Sequence, residues 1–161
     1  MTALQIAGGA VLAAIAVTGS YLDLRTRRLP NWLCLAGLVA GLAFGLTVGG
    51  WPAAAIALAH ALIALIVGAG LFALGGIGGG DAKFYAALAA WFPLQAGLGL
   101  LVSVSLTGLL LLIAWLPYRQ RLMRAGSGVA KDSDFRKLPY GVAIALGALV
   151  LFAMRISQTG N

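Results

Sequence analysis

The stretch NWLCLAGLVAGLAFGLTVGGWPAAAIALAHALIALIVGAGLFAL, residues 31–74, contains no Asp, Glu, Lys or Arg. A helix needs about 20 apolar residues to cross the hydrocarbon core of a bilayer, so this stretch is long enough for two crossings. The sequence GGWP at 49–52 interrupts it near the middle, and glycine and proline favour turns. We therefore predict two membrane-spanning helices, at 31–49 and 53–74, joined by a short uncharged turn.

The rest of the chain has the same apolar character. Hydrophobic residues make up 61% and charged residues 9% of the 161 positions, whereas soluble domains carry about 25% charged residues. This composition excludes an ordinary soluble domain. Four further apolar segments lie at 2–22, 82–92, 94–116 and 140–156. The predicted fold is therefore an all-α, polytopic membrane protein, a single domain over 1–161 with a bundle of six transmembrane helices. The fourth helix of the six, 82–92, is short and ends at Pro93.

All basic residues except Arg155 fall in three predicted loops, at about 23–30, 75–83 and 118–138. Six spans place these three loops on one side of the membrane, which the positive-inside rule identifies as the cytoplasm. Both termini are then expected outside. The net charge of +7 is explained by topology and by attraction to anionic lipids, which we expect as partners. Nucleic acid is not expected as a partner, because the basic loops are short and lack interleaved aromatic residues.

The chain has four aspartates and no glutamate. Asp132 and Asp134 lie in the polar loop, where we expect solvated charges. Asp23 ends the first predicted helix and Asp81 follows the glycine run GGIGGG, which puts both at the cytoplasmic edge. Ionisable groups at membrane depth are costly and usually face a cavity or a partner. Two adjacent carboxyl groups hold one proton between them, so that one can activate water while the other donates a proton to a peptide carbonyl.

Structural interpretations of the same residues stay open at this point. Asp23 could be a helix-end charge paired with Arg27 or Arg28, and Asp81 could cap the fourth helix by accepting the backbone N–H of Phe84. The glycine run could allow close helix packing, or it could let an extended substrate approach the acid.

The remaining reactive residues are sparse. His60 lies mid-way along the third span, far in depth from both aspartates, and we expect it to be a hydrogen bonder in helix packing. Cys34 is the single cysteine, which excludes a disulfide framework and a thiolate zinc site. We therefore expect neither a metal nor a cofactor.

Three motifs resemble those of a known family. Gly78-Gly79-Gly80-Asp81 matches the GxGD motif of intramembrane aspartic proteases, and GGGDAKF resembles the form found in type IV prepilin peptidases. The segment 23–31, DLRTRRLPN, resembles the first aspartate motif of that family, D-x-R-x-x-x-[IL]-P-N, and Pro139-Tyr140-Gly141 resembles its P-[YF]-G landmark. The motifs occur in the family's order and cover nearly the whole chain.

This resemblance implies an aspartic endopeptidase with Asp23 and Asp81 as the catalytic residues and no metal. It implies a substrate with a short basic leader and an apolar helix, a prepilin-like precursor, cut at the cytoplasmic face of the bacterial inner membrane. Residues near the acids are expected to support the site or the substrate: Gly78, Gly79, Gly80, Lys83, Pro139 and Gly141. For Lys83, contact with the lipid headgroups and an electrostatic effect on an aspartate both remain open.

The chain departs from the larger members of the family. Many of them carry a cytoplasmic loop with paired CxxC motifs that is linked with methyltransferase activity, and this sequence has a single cysteine. It therefore resembles the short, peptidase-only branch that serves tight-adherence pili, and no methyltransferase activity is expected. The identity of the pilin and the oligomeric state are left open.

Two other functions compete with proteolysis. The chain could be a small transporter or proton-conducting protein that uses the same aspartates as relay groups. A relay favours acids near the membrane midplane, whereas both acids here are predicted at one edge. A non-catalytic assembly factor of a pilus system is the third class.

Overall fold

The computed structural model of the protein describes residues 2–124 and 138–159. Within those residues all regular secondary structure is helical, with no strand. The elements are α1 (Ala3–Thr26), α2 (Asn31–Ala73), α3 (Gly79–Ala89), a 3₁₀ turn (Leu94–Ala96), α4 (Gly97–Arg124) and α5 (Tyr140–Thr159). The predicted loop at 118–138 is helical as far as Arg124, and its aspartates, Asp132 and Asp134, lie outside the described residues.

Helix α2 is sharply kinked at the glycine pair that the sequence marks as a turn. Gly49 has φ −140° and ψ 17°, and Gly50 has φ 67° and ψ −163°, a positive φ that L-residues with side chains rarely adopt. A methyl group placed on Gly45 would lie 3.5 Å from the Cα atom of Ala54. Nine residues of straight helix extend about 13.5 Å, so α2 folds back on itself, with a first arm at 31–48 and a second arm at 51–73.

The count of six transmembrane helices is not confirmed, because the described residues form five α-helices and the second and third predicted spans belong to one of them. Four segments are long and apolar enough to cross a membrane: Ala3–Thr26, Asn31–Ala73, Leu94–Pro117 and Tyr140–Gln158. Helix α3, with 11 residues, extends about 16 Å, roughly half of a hydrocarbon core. It begins at Gly79, earlier than the predicted 82, because the last two glycines of the run join its first turn.

Helix α3 lies inside the bundle. Its Phe84 and Leu88 are fully buried, and they belong to one core cluster with Leu12 of α1 and Leu100 of α4. Large apolar side chains cover the outside of the described bundle instead, as expected for a surface that contacts lipid acyl chains. The short α3 is therefore sheltered by the longer helices, which allows it to stop within the membrane region.

Contacts at one end of the bundle bring three helix ends together. Leu29, between α1 and α2, packs against Gly80 at the start of α3. The backbone N–H of Gly141, in the first turn of α5, donates a hydrogen bond to Asp23 near the end of α1. The end of α1 and the beginnings of α3 and α5 thus converge, and they carry the two aspartates singled out by the sequence.

Candidate active site

Asp23 is held at the beginning of α5. Its side chain is 6% exposed, and Oδ2 accepts a 2.8 Å hydrogen bond from the backbone N–H of Gly141. The first N–H groups of a helix have no partner within the helix and carry a partial positive charge. A carboxylate at this position is therefore stabilised. A methyl group on Gly141 would lie 2.9 Å from Oδ2 of Asp23 and 3.0 Å from its Cγ, so the contact depends on glycine at 141.

Arg27 adds a positive charge to this carboxyl group. It ends α1 in a left-handed conformation, with φ 54°, and its guanidinium carbon lies 5.3 Å from the centre of the Trp115 ring. The charge of Arg27 attracts the Asp23 carboxylate. Of the two arginines that the sequence offered as partners, Arg27 is thus the one whose charge acts on Asp23. Trp115 was missed at the sequence level, although a lone tryptophan near the end of an apolar span is typical of a membrane interface.

Asp81 is the third residue of α3 and does not cap it. The helix is capped by Gly78, so the interpretation of Asp81 as an N-cap that accepts the Phe84 N–H is wrong. The Asp81 side chain folds back over Gly78 instead, with Oδ2 2.7 Å from where a methyl group on that glycine would lie. Helix formation one turn earlier explains the difference, because Gly79 and Gly80 adopt helical geometry.

The two carboxyl groups are close enough to interact. Burial, and after it the negative charge of Asp23, raises the pKa of Asp81 to about 6, against the lowering effect of the Gly78 N–H. An unperturbed aspartate titrates near 3.9. Two carboxyl groups whose charges act on each other titrate as a pair, and such a pair can supply one acid and one base.

The other predicted site residues divide into two groups. Pro139 is fully buried beside Gly141, and Gly78–Gly80 adjoin Asp81, so these residues surround the acids. Lys83 is exposed, and its Nζ donates a 3.1 Å hydrogen bond to Oδ1 of Asn31. It lines a different cavity from the one that Asp81 lines. The supporting roles of all these residues remain predictions.

A groove of about 490 Å³ extends away from the acids. Asp81 and Tyr140 lie among its lining residues, and so does His60; most of the other lining residues are apolar and come from the second arm of α2, from α3 and from α4. His60 is 4% exposed, and its Nδ1 lies 3.0 Å from the carbonyl oxygen of Phe92. The predicted hydrogen bonding of His60 in helix packing is confirmed. Its position on a groove shared with Asp81 could not be derived from the sequence.

The described residues contain no cluster of three or more His, Cys, Asp or Glu side chains that could hold a metal ion. The polar chemistry at the converging helix ends consists of two carboxyl groups, the N–H groups of two helix starts and one guanidinium group. Such a set can activate water by proton transfer.

A family model described as the type IV leader peptidase family matches residues 10–113. The matched region includes Asp23 and Asp81 and ends before the Pro139–Gly141 segment. Comparisons with curated proteins and with solved structures give no match.

Proposed function

Because this chain belongs to the type IV leader peptidase family, which implies a multi-pass membrane protease, we propose that it is an aspartic endopeptidase that removes leader peptides from prepilin-like precursors. The observation that carries the proposal is the pair of acids, of which Asp23 is buried and Asp81 half-buried. Asp23 and Asp81 are brought by different helices to one place, where the charge of the first raises the pKa of the second.

The two acids are proposed to have different roles. Burial opposes ionisation of Asp23, whereas the Gly141 N–H and the Arg27 charge favour its carboxylate, and we assign it the role of general base on these two contacts. Asp81 is the general acid, since it retains its proton up to about pH 6. Asp23 takes a proton from a water molecule as the oxygen attacks the scissile carbonyl carbon, and Asp81 donates its proton to the carbonyl oxygen. The tetrahedral intermediate then collapses: one of its hydroxyl groups returns a proton to Asp81, the C–N bond breaks, and the leaving amine receives the proton held by Asp23.

The groove supplies a place for the part of the substrate that lies in the membrane. Its lining is apolar apart from a few residues, so it suits the apolar segment that follows the cleaved bond in a leader-bearing precursor. The chain between α2 and α3, residues 74–78, is not helical and adjoins Asp81. We propose that this segment contacts the peptide where it is extended for cleavage.

The proposed location is the bacterial inner membrane, with the acids at the cytoplasmic face. The basic residues Arg25, Arg27 and Arg28 follow Asp23 within five positions, which supports a cytoplasmic position for this end of the bundle. The positive-inside rule also predicts that a basic leader peptide stays on the cytoplasmic side of the membrane.

The test is cleavage of a pilin precursor in membranes that contain this protein. Asp23→Asn and Asp81→Asn each remove a proton-transfer group, which is worth about 10²–10⁴-fold in rate, and each is expected to reduce cleavage by at least that amount. Lys83→Gln is the matched control, because Lys83 lies two residues from Asp81 but lines another cavity. Membrane insertion of all variants is checked by accessibility labelling.

Cleavage retained by either aspartate variant would remove that residue from the mechanism. A wild-type protein that cleaves no precursor but conducts protons, with the flux lost in both variants, would support the transporter hypothesis in its place.

A further inference from the structure

His60 presents an unused polar atom to the groove. A carbonyl oxygen can only accept a hydrogen bond, so Nδ1 of His60 carries the proton that is donated to Phe92. In the neutral imidazole, Nε2 is then an acceptor. This atom has no hydrogen-bond partner among residues 2–124 and 138–159. It is not one of the fully enclosed polar atoms, and it faces Gly97, which also lines the groove.

The mechanism proposed above does not use this atom. Both acids lie at the converging helix ends, whereas His60 lies further along the second arm of α2. Gly68 lies eight residues after His60 on the same arm and packs against Ala82, the neighbour of Asp81. A methyl group placed on Gly68 would lie 3.0 Å from the Cβ of Ala82. Eight helical residues extend about 12 Å, so His60 lies about that far from the acid along the groove.

Nε2 is thus an acceptor in a largely apolar groove, whose other polar side chains are Asp81, Tyr85 and Tyr140. An acceptor without a partner in such surroundings is unfavourable, and a substrate atom that donates a hydrogen bond to it is bound in preference to a hydrocarbon group. A hydroxyl, an amide or a protonated carboxyl group can each supply such a donor.

We propose that His60 is a specificity-determining residue, whose Nε2 selects precursors with a hydrogen-bond-donating side chain at one position of their apolar segment. The proposal rests on the function proposed above. The distance of about 12 Å corresponds to about four residues of extended chain or eight residues of helix. The selected side chain therefore lies four to eight residues beyond the cleaved bond.

The experiment uses model precursors with a basic leader and an apolar segment of leucine and alanine. One serine is moved through the ten positions that follow the cleaved bond, and kcat/KM is measured for each precursor with the full-length protein in membranes. The wild-type protein is expected to prefer one serine position, between four and eight, by about five- to tenfold over the precursor without serine, the effect of one net hydrogen bond. Precursors with asparagine or glutamate at that position distinguish amide and carboxyl donors from a hydroxyl.

His60→Asn is the decisive variant. The asparagine side-chain N–H₂ can take the place of Nδ1–H and keep the hydrogen bond to Phe92, but nothing replaces Nε2. This variant is expected to fold and to lose the serine preference, so that its kcat/KM is about the same for precursors with and without serine. His60→Leu removes both hydrogen bonds and shows how much of any change is due to packing.

The proposal is overturned if the wild-type protein cleaves the precursors but prefers no serine position, or if His60→Asn retains the preference. A wild-type protein that cleaves none of them overturns the proposed function, and with it the role of His60. The two failures are therefore distinguishable by the first measurement.

Discussion

Replacing Asp81 by asparagine is expected to stabilise the folded protein at neutral pH while it ends cleavage. The pKa of Asp81 is raised from 3.8 to about 6 by burial and by Asp23, which means that its ionised form is disfavoured in the folded state. Below about pH 4 the carboxyl group is protonated in both folded and unfolded chains, so it does not affect the free energy of unfolding. Well above pH 6 it is ionised in both, and the free energy of unfolding is then lower by up to about 3 kcal/mol.

The assay is reversible unfolding in detergent micelles at pH 4 and at pH 7.5. Wild-type protein is expected to lose about 2 kcal/mol of unfolding free energy from Asp81 between these values, because an unfolded aspartate is already partly ionised at pH 4. The asparagine variant is expected not to lose this contribution. The asparagine variant should therefore be the more stable protein at pH 7.5 and similar to wild type at pH 4. Lys83→Gln removes a charge from the same helix, but Lys83 lines a different cavity from Asp81. This variant should leave the pH dependence of the unfolding free energy unchanged.

An asparagine variant that is no more stable than wild type at pH 7.5 would refute the inference that Asp81 is buried against a second negative charge. In a protein that already carries Asp23→Asn, the stabilisation by Asp81→Asn at pH 7.5 is expected to be smaller. The charge of Asp23, which contributes to the raised pKa of Asp81, is then absent.

Three further results are expected. The kcat/KM of cleavage should fall about tenfold for each pH unit above about 6, since Asp81 must be protonated to donate; a flat profile between pH 6 and 8 would contradict this role. Gly141→Ala should lower kcat at least tenfold with little change in KM. The new methyl group would lie 2.9 Å from the Asp23 carboxyl, and a displaced catalytic group slows the reaction. An unchanged kcat would show that this contact is unimportant. Gly147→Ala should destabilise the protein by about 1–3 kcal/mol, because the new methyl group would lie 2.6 Å from the backbone of α4. Gly70→Ala, whose methyl group would meet nothing within 4 Å, should stabilise it by about 0.5–1 kcal/mol. Equal effects of the two variants on unfolding in detergent would refute the packing of α4 on α5.

Much of the candidate site could be predicted because each aspartate stands in a short local motif. The segment 23–31 and the string GGGDAKF each identify their acid without any knowledge of the fold. Burial of the pair was also foreseeable, since ionisable groups within apolar spans usually face a partner. The cap assignment of Asp81 was wrong because glycine has a weak helical preference, and the sequence does not show that packing against Leu29 would draw Gly80 into the helix.

The helix count shows where local patterns stop being sufficient. Apolar runs of the right length determined where the chain can cross a membrane, and GGWP determined where α2 turns. They did not determine which segments cross fully, because α3 is apolar apart from Asp81 and Lys83 but is only 11 residues long and depends on its neighbours for shelter.

The amino-acid sequence by itself determined that the chain is suited to a membrane, that it is helical, and that two aspartates from separate segments are the candidates for its chemistry. Only the tertiary structure decided that the start of α5 donates to Asp23 across 118 residues of chain and that His60 and Asp81 line one groove. The physical reason is that helices which are apolar on all sides have no polar face to orient them. Their neighbours are chosen by the fit of small residues against large ones, a property of shapes in contact that no single segment contains.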